Sequence, residues 1–99
     1  LPNEPKGCKH SWYLYTVRLK NANEKEREKI VDALKQNAID AFVCYRHPIH
    51  LMPYYSKFGK CRLPETEKAA EQVFSLPVHP GVTAEQIDFI GETVLRLLG

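Results

Sequence analysis

"SWYLYTVRLK", residues 11–20, is the stretch on which the fold turns. It is rich in aromatic and β-branched side chains and contains neither glycine nor proline, so its composition predicts a strand. On a pleated strand Tyr13, Tyr15, Val17 and Leu19 share one face, and Trp12, Leu14, Thr16 and Arg18 share the other. Both faces are apolar in their first half. A small sheet with water on one side alternates more cleanly. The face with Trp12 and Leu14 is therefore expected to be covered by something outside these residues, as an interdomain surface.

Downstream, Asn23 and Glu26 have the spacing of a capping box and predict a helix over 23–37. Its apolar stripe is Ile30, Val31, Leu34 and Ala38. "DAFVCYRH" (40–47) reads as a second strand, and Pro48 turns the chain after it. Pro53 is placed to open a short helical turn through Tyr54, Tyr55 and Phe58, with Gly59 closing it. A third helical segment is expected over 64–74, started by Pro64, with Ala69, Ala70, Val73 and Phe74 inside. "SLPVHPG" (75–81) is broken by Pro77 and Pro80 and can only be a short edge strand. Thr83 and Gln86 cap a last helix over 83–99, with Ile87, Ile90, Val94, Leu97 and Leu98 inward. Upstream, residues 1–9 begin "LPNEPKG" and read as a linker entering a domain. The pattern predicts an α+β fold: a small, mainly antiparallel sheet of about three strands, with helices packed mainly on one face.

The 99 residues suffice for one domain, and the apolar fraction of 43% is that of a globular chain. Fourteen basic and twelve acidic residues are interleaved, for a net charge of +2. No basic stripe appears, so no nucleic-acid partner is expected. No apolar run is long enough to span a bilayer, so no membrane is expected either. Three cysteines, Cys8, Cys44 and Cys61, with no CxxC spacing, fit free thiols in a reducing compartment, hence a cytoplasmic setting.

"RHPIHLMPYYSKFG", residues 46–59, holds an arginine, two histidines and two tyrosines between prolines. Cys44, His47 and His50 form a C-x2-H-x2-H string that invites a metal reading. On an extended chain the first two would stand about 10 Å apart. No fourth ligand is evident, so no metal is expected. Imidazole and phenol groups can instead donate hydrogen bonds to a polar ligand. Tyr54 and Tyr55 are adjacent, so on one helical turn they diverge by about 100°. One is expected to pack while the other faces a cleft. Glu65 and Glu67 fall in the first turn of a helix, where the dipole favours negative charge. That explains them without an acid–base role.

Three blocks, "KHSWYLYTVRL" (9–19), "HPIHLMPYYSKFG" (47–59) and "LPETEKAAEQVFSLPVHPGVTAEQID" (63–88), together resemble the C-terminal region of the DegT/DnrJ/StrS sugar aminotransferases. The resemblance covers nearly the whole chain. It implies the small domain of a fold-type I enzyme that uses pyridoxal phosphate to aminate keto-sugars carried on a nucleotide diphosphate. It implies a homodimeric parent, a large domain as this segment's first partner, and a nucleotide-sugar substrate. It places His50 at the active-site mouth; His47 is either a substrate contact beside it or part of the turn, and one of Tyr54 and Tyr55 completes the candidate substrate-binding set. Arg46 either pairs with a phosphate or is solvated. Pyridoxal chemistry needs a Schiff-base lysine and a partner for the pyridine nitrogen. None of the nine lysines sits in a segment resembling the family's lysine motif. The resemblance therefore implies that the cofactor is bound by the large domain, with no catalytic or cofactor-binding residue here and no transamination by this segment alone. The competing expectation is a free-standing α+β module that binds a small ligand or a protein.

Overall fold

The computed structural model describes residues 1–99. Its elements in chain order are β1 (Tyr15–Arg18), α1 (Glu24–Gln36), two 3-10 turns (Ile49–Leu51 and Pro53–Phe58), α2 (Pro64–Gln72), β2 (Val73–Leu76) and α3 (Ala84–Leu98). The fold is α+β, as the sequence predicts. Its sheet is smaller than expected: two antiparallel strands, paired Tyr15 to Leu76 through Arg18 to Val73.

The segment expected as a strand over 40–47 contracts to one antiparallel bridge, Phe42 to Ser75. Ser75 N–H donates to the Phe42 carbonyl at 2.7 Å, and Phe42 N–H donates back at 3.1 Å. The next bonded pairs along such a ladder would use Val73 and residue 77. Val73 N–H is already committed to the Ala69 carbonyl at the end of α2. Pro77 has no N–H to give. The ladder stops on both sides for those two reasons. For the same reason α2 ends at Gln72 rather than 74: Val73 and Phe74 are taken into β2, which occupies 73–76 instead of lying within 75–81.

The first strand is also shorter than the expected 11–20. Trp12 has φ 50°, a left-handed conformation that turns the chain before β1 begins. Its N–H donates to His10 Nδ1 at 2.8 Å, and the two rings stack with centroids 4.1 Å apart. Trp12 and Leu14 are half-buried, and neither packs on the hydrophobic core.

That core is Val17, Val31, Leu34, Ile39, Ala41 and Phe74. It lies between the sheet and the α1 and α3 helices. Both capping boxes form, Asn23 with Glu26 and Thr83 with Gln86. On α1, Val31 and Leu34 are buried as expected, whereas Ala38 lies beyond the helix at φ 59° and is exposed. On α3, Ile90, Val94 and Leu97 pack on the core, but Ile87 and Leu98 face solvent. Thr93 takes an inner position instead.

The α1 stripe has a member that apolar patterning overlooks. Arg27 precedes Val31 by four residues, and so shares its face. It is fully buried. Its Nη1 donates to the Ala70 carbonyl of α2 at 2.6 Å, and its Nη2 reaches Glu28 at 2.7 Å and Glu24 at 3.4 Å. The guanidinium thereby joins α1 to α2. Only Nε is left without a partner.

Candidate functional site: a groove between the 3-10 turns and α2

Pro48 and Pro53, neither of which needs an N–H partner, lead into the two 3-10 turns, and Gly59 at φ 112° ends the second. The chain then runs back to α2. Between these turns and α2 lies an open groove of about 940 Å³. Its turn-side wall includes Tyr45, His47, His50, Tyr55 and Phe58; its helix-side wall includes Glu65, Thr66, Ala69 and Ala70. Lys60 and Cys61 lie on its rim segment. A mostly apolar lining with a few polar groups is the composition of a ligand site.

His50 is held there by α2. Its Nε2 stands 3.0 Å from Glu67 Oε1, and that oxygen also accepts the Leu63 N–H at 3.0 Å. An ionised carboxylate only accepts, so Nε2 carries the proton in this pair and Nδ1 is left for a ligand. The His50 hydrogen bond, seconded by the Leu63 N–H, holds the Glu67 carboxyl below the usual glutamate range. Glu67 therefore has a tertiary role as well as its favourable place in the first turn of α2. Nothing in the sequence spacing signals that role, because its partner is seventeen residues away.

The other site residues read from the sequence divide. His47 and Tyr55 line the groove with His50. Tyr55, not Tyr54, is the tyrosine on the cleft side. Tyr54 meets Tyr55 edge-on at 5.1 Å and carries the Lys57 ammonium 3.8 Å from its ring centroid. Arg46 does not line the groove; its Nη1 donates to Glu28 Oε1 on α1 at 2.6 Å. Trp12 and Leu14 are not part of the groove. Cys44, His47 and His50 do not converge, and no cluster of three metal-ligating side chains exists in the chain.

The fold, with a groove walled by the 3-10 turns and one helix, is that of a segment of an aminotransferase. A Brucella abortus DegT/DnrJ/EryC1/StrS aminotransferase superposes with a TM-score of 0.84 at 25% identity, over 99% of this chain and 26% of that one. The chain belongs to the DegT/DnrJ/EryC1/StrS aminotransferase family, whose model matches residues 1–95. Among curated relatives, a pleiotropic regulatory protein of Geobacillus stearothermophilus is 34% identical over 94% of this chain and 24% of its own length. A dTDP-3-amino-3,6-dideoxy-alpha-D-galactopyranose transaminase of Aneurinibacillus thermoaerophilus is 30% identical over 97% of this chain and 25% of its own. The chain thus spans about a quarter of the length of the curated relatives it matches.

Proposed function

We propose that this chain is the C-terminal small domain of a pyridoxal-phosphate-dependent aminotransferase that aminates keto-sugars carried on a nucleotide. In that parent, a cytoplasmic homodimer, it borders the cofactor cleft and recognises the substrate. The observation that carries this reading is the groove, where His47, His50 and Tyr55 stand on an apolar lining. His50 Nδ1, an acceptor in this tautomer, is suited to a hydroxyl of such a substrate, and His47 and the Tyr55 hydroxyl to its hydroxyls and phosphates. Arg46 and Tyr54 stand outside the lining, and their part is to hold the loop and cover its outer edge.

The chain's surface supports a covering partner. Its accessible area is 7804 Å², against about 5,800 Å² for a monomer of this mass. Its radius of gyration is 15.5 Å, against about 13 Å for a self-contained domain of this length. Tyr13, Phe58 and Leu95 are each more than 70% exposed. The large domain is the proposed cover, with Trp12 and Leu14 at its edge.

The groove does not itself fit pyridoxal phosphate. Its lining has one lysine, Lys60, one carboxylate, Glu65, and no arginine to hold a phosphate, while the neighbouring Glu67 is committed to His50 and Leu63. The cofactor, which supplies the electron sink of transamination, belongs on the large domain. Of the substrate chemistry, this chain's residues bind and orient.

The test is His50→Ala in the full-length protein that carries this segment. The expected result is an increase of about tenfold in the KM for the nucleotide-sugar, from loss of one polar contact to a charged or multiply bonded ligand. The fold should persist. If KM and kcat are both unchanged, the assignment of His50 fails.

A further inference from the structure

Arg46 interrupts the groove wall. The residues on either side of it, Tyr45 and His47, both line the groove, while Arg46 turns the other way to meet α1. Its acceptor there, Glu28 Oε1, is the same oxygen that receives Arg27 Nη2 at 2.7 Å. Arg27 is fully buried, and its other terminal nitrogen holds the carbonyl of Ala70. Ala70 lines the opposite wall of the groove. One chain of charge-assisted contacts, Arg46–Glu28–Arg27–Ala70, therefore runs behind the groove and ties one wall to the other.

We propose that Arg46 and Glu28 are positioning residues. Their ion pair holds the loop over 45–47 so that Tyr45 and His47 face the groove, and it sets ligand affinity without touching the ligand. The use of this device in sugar-nucleotide binding rests on the function proposed above; the holding of the loop does not. The loop has few other anchors. Among hydrogen bonds, residues 43–47 make none to the rest of the chain except through Arg46. After the bridge at Phe42, the next tether is His50 on Glu67. Glu28 is oriented from its own side by Arg27, so the acceptor is fixed before Arg46 arrives. A half-exposed pair of this kind contributes little to global stability, which makes the loop, and not the fold, the place where its loss is read.

The experiment uses Arg46→Ala and Arg46→Lys in the full-length protein, with His50→Ala as reference. Without ligand, Arg46→Ala is expected to lower the backbone NMR order parameters of residues 43–47 while leaving those of α1 and β2 unchanged. It should raise the nucleotide-sugar KM about two- to fivefold with kcat unchanged, the scale of one exposed ion pair. Arg46→Lys, which keeps the charge, should restore most of both. Unchanged order parameters in Arg46→Ala overturn the proposal. So does a loss of binding of a hundredfold or more that lysine fails to rescue, since Arg46 would then be touching the ligand. If Arg46→Ala lowers the loop's order parameters while His50→Ala leaves KM unaltered, the pair holds the loop as proposed and the failure belongs to the substrate reading.

Discussion

His50 Nε2 and Glu67 Oε1 stand 3.0 Å apart, joining the first 3-10 turn to the first turn of α2. The contact lowers the Glu67 pKa, and the sign of its effect on stability follows. A carboxyl that ionises more readily when folded stabilises the fold fully above the ordinary glutamate value of about 4.3. That contribution is lost as pH falls from there through the folded midpoint. The Glu67 carboxyl carbon, followed by NMR, should titrate below the usual glutamate range. In His50→Ala the midpoint should rise but stay depressed, because the Leu63 N–H still donates to the carboxylate. A midpoint that does not move in His50→Ala would show that the pair is absent in solution.

Arg27 is buried beside Glu24 and Glu28, and removing it strands the Ala70 carbonyl and leaves a void. Arg27→Ala should cost about 3 kcal/mol in urea unfolding. Arg27→Met should cost clearly less. It fills similar volume and removes the unpartnered Nε, and buried charge replaced by apolar volume is often tolerated. Equal losses in the two variants would mean that the hydrogen bond to Ala70, not the packing, dominates.

Phe74 is 1% exposed and pairs with Val17 at the centre of the sheet. Phe74→Ala should destabilise by about 3–5 kcal/mol. That approaches the whole stability of a small domain. The 99-residue chain carrying it is expected to lose its near-UV circular dichroism at 25 °C, and retention of a native spectrum would contradict this account of the core.

Cys8, Cys44 and Cys61 are free and exposed. In the folded chain all three should react with a thiol reagent without denaturant. Only Cys61 lines the groove. In the full-length protein a bound nucleotide-sugar should therefore slow Cys61 selectively, as peptide mapping of the labelled protein can show. Equal protection of Cys44 would place the ligand elsewhere.

What was legible in the sequence is what local chemistry encodes. Asn23 with Glu26 and Thr83 with Gln86 mark helix starts through contacts three residues long, and both form; Pro53 and Gly59 bound the second 3-10 turn by their own backbone preferences. The α+β class followed from those elements. The extent of the sheet did not, because it depends on Val73 N–H being used by α2 and on Pro77 lying where a third strand would need a donor. In the groove, His50 could be picked out by resemblance and His47 by residue type, whereas the choice between Tyr54 and Tyr55 was not legible and Tyr55 is the one that lines it. The contacts of Arg46 with Glu28, of Glu67 with His50 and of Arg27 with Ala70 span 17 to 43 residues and leave no periodic trace. Arg27 alone left a clue, as a charged residue on the Val31 face of α1.

The junction of α2 and β2 has a mechanical meaning. Val73 belongs to both elements at once: its N–H closes the last turn of the helix, while its backbone faces Arg18 across the sheet. There is no hinge between them. A displacement of α2 would therefore be expected to reach β2 and, through Phe74, the core. The opposite wall of the groove has no such continuity with the sheet, and a bulkier occupant is expected to be accommodated there, by the 3-10 turns that end at Gly59.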